Sequence, residues 1–65
     1  MKLKLAELRK AANLSQKELE AKSGVKQSVI SDIENGNVRY PRLDTLVAFS
    51  HVFKCTIEEM ISYKD

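Results

Sequence analysis

Apolar residues fall in short groups along the chain, separated by turn-forming residues, and within each group the spacing is helical. Leu3, Leu5, Leu8, Ala11 and Ala12 lie mostly on one side of a helical repeat, with Lys2, Lys4, Glu7, Arg9 and Lys10 largely elsewhere. This predicts a first helix that ends near Ala12, before Asn13. The second helix has the best-defined start. Ser15 stands as N-cap, Glu18 three residues on completes a capping box, and Leu14 and Leu19 are placed as a hydrophobic staple. It runs from about Gln16 to about Lys22, because Ser23-Gly24 follows and Gly24 suits the positive φ that closes a helix. Val25, Val29, Ile30 and Ile33 then mark a third helix over roughly 26–34, closed by Asn35-Gly36. Pro41 drives Tyr40 out of the α region, so 37–41 is a loop. Leu43, Leu46, Val47, Ser50 and Phe53 mark a fourth helix, with Asp44 favourably near its N-terminus. A second capping box, Thr56 with Glu59, and a staple of Cys55 with Met60 open a fifth, whose inner face is Ile57, Met60 and Ile61. No segment alternates as a strand does. The prediction is a compact all-α, five-helix architecture forming one domain over 1–65, with a helix-turn-helix unit at about 15–35.

Composition narrows what such a domain can do. With 65 residues, 43% hydrophobic and 31% charged, there is room for one small core and none for a deep substrate cavity. The apolar stretch from Leu46 to Phe53 is broken by Ser50 and His51 and is too short to cross a bilayer, and Met1-Lys2-Leu3-Lys4 does not open a signal peptide. A soluble, cytoplasmic protein is expected. Cys55 is the lone cysteine and His51 the lone histidine, so neither an internal disulfide nor a structural zinc is expected, and no cofactor or metal is called for. Cys55 reads as a small apolar side chain in the core and His51 as a solvated one. One His and one Cys, without a Gly-rich phosphate loop, assemble no catalytic constellation, so the chain is not read as an enzyme. Glu58 and Glu59 serve a helix N-terminus better than a metal.

Net charge is only +2, but it is unevenly spread. Residues 1–42 carry nine basic and five acidic side chains, a balance of +4, and residues 43–65 a balance of −2. A domain polarised in this way can turn a basic face to a polyanion.

Two short helices joined by a tight Gly-containing turn have the layout of a DNA-reading helix-turn-helix. The second helix must be slim and exposed enough to enter a major groove about 12 Å wide while its inner face stays anchored. In the third helix Val25, Ile30 and Ile33 serve as anchors, leaving Lys26, Gln27, Ser28, Ser31 and Asp32 outward. Beyond this layout, Leu8-Arg9, Leu14-Ser15-Gln16-Lys17-Glu18-Leu19, Gly24-Val25, Ile30-Ser31-Asp32-Ile33-Glu34-Asn35-Gly36 and Pro41-Arg42-Leu43-Asp44-Thr45-Leu46 resemble, in order and spacing, the Cro and lambda-repressor-like (Xre-type) helix-turn-helix family. The resemblance covers about residues 3 to 62. It implies that Gln16 bonds a backbone phosphate and buttresses the recognition helix. It also implies that Gln27, Ser28 and Asp32 face bases with Lys26 at the entrance, and that Asn35, Arg39 and Arg42 touch phosphates. Side-chain chemistry agrees for most of these: Gln pairs bidentately with adenine, Ser donates or accepts, and Asp accepts from cytosine N4 but repels phosphate.

The chain departs from the family pattern at four places. Glu20 stands where a small residue is usual at the crossing of the second and third helices, and Ser23 where an apolar one is commoner. Lys26 takes a slot often held by a capping Ser or Thr, which predicts that an amide at the start of the third helix lacks a partner worth about 1 kcal/mol. Lys54 stands where Gly often closes the fourth helix.

The resulting expectation is a transcriptional regulator of bacterial or phage nucleoid type, a repressor that binds an inverted-repeat operator in double-stranded DNA as a homodimer. Ile61 and Tyr63 either cap the core or, with the outer face of the fifth helix, supply a two-fold contact. No membrane or small-molecule partner is indicated. The alternative is a protein-interaction module of antitoxin-like or regulator-binding kind that keeps the same fold.

Overall fold

A computed structural model describes residues 2–38 and 40–62. The elements in chain order are β1 (Lys2–Leu3), α1 (Leu5–Ala11), α2 (Gln16–Ser23), α3 (Gln27–Glu34), α4 (Leu43–Phe53), a single 3-10 turn (Glu58–Met60) and β2 (Ile61–Ser62). Four α-helices are present among the described residues, and the expected fifth is replaced by the 3-10 turn. Its capping box does form: the Thr56 amide donates to Glu59 Oε1 (2.9 Å) and the Glu59 amide to Thr56 Oγ1 (3.1 Å). The turn stops after Met60 because the chain then pairs antiparallel with its own start, Leu3 opposite Ile61 and Lys2 opposite Ser62. The Lys4 amide adds a bond to the Met60 carbonyl at 2.8 Å. Backbone groups that a longer helix would have used are spent on this two-residue ladder. The fold is therefore mostly helical, not purely so.

Three helices close by the same device. After α1, Asn13 takes φ 58°, its amide donates to the Lys10 carbonyl, and the Leu14 amide reaches back to Arg9. After α3, Gly36 takes φ 79°, with its amide on Ile33 and the Asn37 amide on Asp32. After α4, Lys54 takes φ 52° and the Cys55 amide bonds the Ser50 carbonyl. Each is a left-handed residue whose successor satisfies a carbonyl deep in the last turn. Lys54 adopts this conformation without glycine's freedom, which leaves local strain of about 1 kcal/mol.

The core takes one or two side chains from every helix: Leu5 from α1, Leu19 from α2, Ile30 and Ile33 from α3, Phe49 from α4, and Met60 from the 3-10 turn. Leu3, Leu8, Leu14, Val25, Val29, Leu46 and Ile57 pack around it. On α4 the sequence pattern misassigns the inner face. Leu43 is 69% and Val47 39% exposed, while Phe49, absent from the expected stripe, is fully buried. The helix is rotated so that Leu46, Phe49 and Phe53 face inward.

Candidate nucleic-acid interface

The α2–α3 pair is built from the Ser15 capping box inward. Ser15 Oγ accepts from the Glu18 amide (3.0 Å) and Glu18 Oε1 from the Ser15 amide (2.8 Å), which fixes where α2 begins and holds the Glu18 carboxyl below its usual range. At the other end Gly24 takes φ 77°. Ser23 replaces the commoner apolar residue usefully: its hydroxyl donates to the Leu19 carbonyl (2.7 Å) and accepts from the Val25 amide (3.1 Å), tying both sides of the turn.

The start of α3 has a partner that the sequence pattern did not announce. Lys26 makes no side-chain cap, as expected, and the Gln27 amide, the first of the helix, donates to Glu20 Oε2 at 3.1 Å. The carboxylate that replaces the usual small residue on α2 therefore caps α3 from across the turn. Sequence reasoning missed it because a cap is looked for within the same segment, and this one arrives from seven residues upstream.

Ile30 and Ile33 anchor α3 in the core, and the opposite edge is open: Lys26, Ser28, Asp32 and Asn35 are exposed, Gln27 and Ser31 half-buried. Asn35 lies on this edge at the C-cap, its Nδ2 donating to Ser31 Oγ (3.3 Å). Gln16, first residue of α2, is half-buried, and its Oε1 faces Gln27 Nε2 at 3.5 Å. Lys26, Gln27, Ser28, Asp32, Gln16 and Asn35 are thus brought together around α3. Arg42 stands apart as the exposed N-cap residue of α4, its Nε 3.3 Å from Asp44 Oδ1. An ion pair so exposed is worth little. Arg39, the remaining expected phosphate contact, lies outside the described residues, as does Tyr63. The expected two-fold surface loses its helix altogether, since Ile61 is half-buried in β2.

Behind the open edge sits a group that sequence spacing did not single out. Arg9 of α1 grips Glu34 at the end of α3 with two bonds, Nε to Oε2 (2.7 Å) and Nη2 to Oε1 (3.0 Å), while its Nη1 donates to the Leu14 carbonyl (2.8 Å). Gln16 Nε2 donates to the same Glu34 Oε1 at 3.2 Å. The Arg9 hydrogen bonds hold the Glu34 carboxyl below the usual carboxylate range, and Glu34 in turn raises Arg9. Twenty-five residues separate the pair, so no local pattern could show it.

Among the described residues no cluster of three or more His, Cys, Asp or Glu side chains could hold a metal ion, and no helix is long and apolar enough to cross a membrane. Cys55 is half-buried, and desolvation pushes its thiol up, away from the reactive thiolate. No curated protein matches the chain. The helix-turn-helix family model matches residues 5–60, which takes in all four helices and the 3-10 turn. With its two helices crossing at a capped glycine turn and the polar edge of the second left open, the chain belongs to the Xre and lambda-repressor-like helix-turn-helix family, a DNA-binding family.

Proposed function

We propose that this chain is a sequence-specific transcriptional regulator, a repressor, that binds an inverted-repeat operator as a homodimer and forms one domain over 1–65, working in the cytoplasm on nucleoid DNA. The observation that carries this reading is the open polar edge of α3, with Ser28 and Asp32 exposed opposite the buried Ile30 and Ile33. Lys26, Gln27, Ser28 and Asp32 meet base edges, while Gln16, Asn35, Arg39 and Arg42 meet phosphates and set register. Asp32 sharpens selection, because it accepts from cytosine N4 and repels a misplaced phosphate. A single α3 buries too little for tight binding, so two copies read half-sites about 34 Å apart.

A gel-shift titration on a selected operator tests the base contacts. The double substitution Gln27→Ala, Ser28→Ala is expected to weaken the operator complex at least tenfold and leave non-specific binding in place; unchanged operator binding would refute the assignment. A second reading, a protein-interaction module, is favoured by one observation: Leu43 and Val47 form an exposed apolar strip on α4. Salt separates the two, because DNA binding falls steeply with ionic strength and an apolar protein contact does not.

A further inference from the structure

We infer that Glu20 is a specificity-determining residue: its carboxylate occupies the anion position at the tip of α3, denies that position to phosphate, and so weakens the hold on non-operator DNA more than on the operator. This rests on the reading of α3 as the element that enters the major groove, and it names a residue which that reading does not use.

A helix N-terminus presents unpaired amides and the positive end of the helix dipole, which makes it a place where anions settle. The first turn of α3 carries no acidic residue of its own, and Lys26 supplies no cap. Glu20 fills the place from α2, taking the Gln27 amide on Oε2 at 3.1 Å. It is half-buried there. Gln16 and Glu20 are four apart on α2 and share one face. Both meet Gln27, Gln16 at its side chain and Glu20 at its backbone amide. The carboxylate therefore stands one helical turn from a proposed phosphate contact, at the end of α3 that carries Lys26 and Gln27.

No cation balances its charge. Glu34 is held by Arg9 and Asp44 lies beside Arg42, but among the described residues Glu20 is in no ion pair. A cap alone does not need the charge, because a neutral hydroxyl or amide oxygen also accepts from a backbone amide. What the charge adds is repulsion of a second anion, over a range of about 8 Å at physiological salt. Non-operator DNA is held through its phosphates, and the tip of α3 would be one more place to hold them. On the operator α3 is seated among base edges, where its tip has no phosphate to refuse. Any repulsion that Glu20 exerts on a phosphate at Gln16 is common to both complexes and cancels in their ratio. Selectivity of this kind comes from weakening the wrong complex.

The test compares the wild-type chain with Glu20→Gln, which keeps an oxygen for the Gln27 amide and removes the charge. Each is titrated against an operator duplex obtained by selection and against a scrambled duplex of the same length and composition, over about 50 to 200 mM salt. Circular dichroism shows that the variant is folded. Glu20→Gln is expected to lower the ratio of operator to scrambled affinity by about threefold or more, the worth of one charge at a helix N-terminus, through tighter binding of the scrambled duplex. For that duplex the slope of log affinity against log salt should steepen, by up to the roughly 0.9 of one added phosphate contact. A smaller fall in the ratio, or a fall with scrambled affinity unchanged, overturns the inference. Glu20→Ala, which loses cap and charge together, should also tighten the scrambled complex, and it carries the readout should Glu20→Gln not fold. A ratio altered in Glu20→Ala but not in folded Glu20→Gln assigns the effect to the cap and overturns the inference too. If the wild-type chain binds both duplexes alike, α3 reads no sequence and the inference falls with that reading. If it prefers the operator and Glu20→Gln keeps the preference, the inference alone falls.

Discussion

At Glu34 and Arg9, one side chain from each end of the helical unit meets its partner with little help from water. Arg9→Ala would strand a carboxylate that is mostly buried, and the loss of stability is expected to be about 2–3 kcal/mol, read from urea unfolding. The pH dependence has a definite sign. Because the folded state holds the Glu34 carboxyl below its ordinary range, the stabilisation is complete above the unfolded value and is lost as pH falls through the folded one. Glu18 and Glu59, lowered by their capping boxes, act in the same direction. Acid should therefore unfold the chain, and Glu34→Gln should give a shallower fall in stability below about pH 4.3, the ordinary glutamate value; an unaltered slope would remove Glu34 from the account. Lys54 runs the other way. It holds φ 52° with a side chain that gains nothing from it, so Lys54→Gly is expected to raise stability by about 0.5–1 kcal/mol in the same urea series.

Helix starts and stops were legible in the sequence where their cause is local. The Ser15–Glu18 box, Gly24 and Asn35-Gly36 all stand where the pattern places them, because each acts through residues three or four apart. Elements governed by distant contacts were not legible. The Thr56–Glu59 box forms, yet the helix it announces stops after one turn because Lys2–Leu3, far away in sequence, pairs with the residues that would have continued it. On α4, Leu43 and Val47 satisfy the spacing as well as Phe49 does, and only the neighbouring helices decide which of them is buried. The Glu20 cap on α3 belongs with these. Glu20→Ala should cost about 1 kcal/mol by orphaning the Gln27 amide. Lys26→Ser, whose hydroxyl reaches the Ser28 or Val29 amide and not that of Gln27, should stabilise the wild-type chain and Glu20→Ala by similar amounts. An unaltered thermal unfolding transition in Glu20→Ala would show that this carboxylate does not cap α3.

Over the whole molecule, the helix-turn-helix family and the open polar edge of α3 were legible from motif spacing, whereas the Arg9–Glu34 pair behind that edge was not, since its two members come from different helices. The family match covers the described helices, and the core places one side of α3 inside and the other out. The most direct check of that division is selection of duplexes from a random pool by the wild-type chain and by Gln27→Ala in parallel. The wild-type chain should enrich a two-fold symmetric consensus with half-sites about one helical turn apart, and the variant should enrich the same consensus relaxed at one base pair in each half. A pool that stays random, or a consensus identical for both chains, would contradict the assignment of α3 as the element that reads sequence.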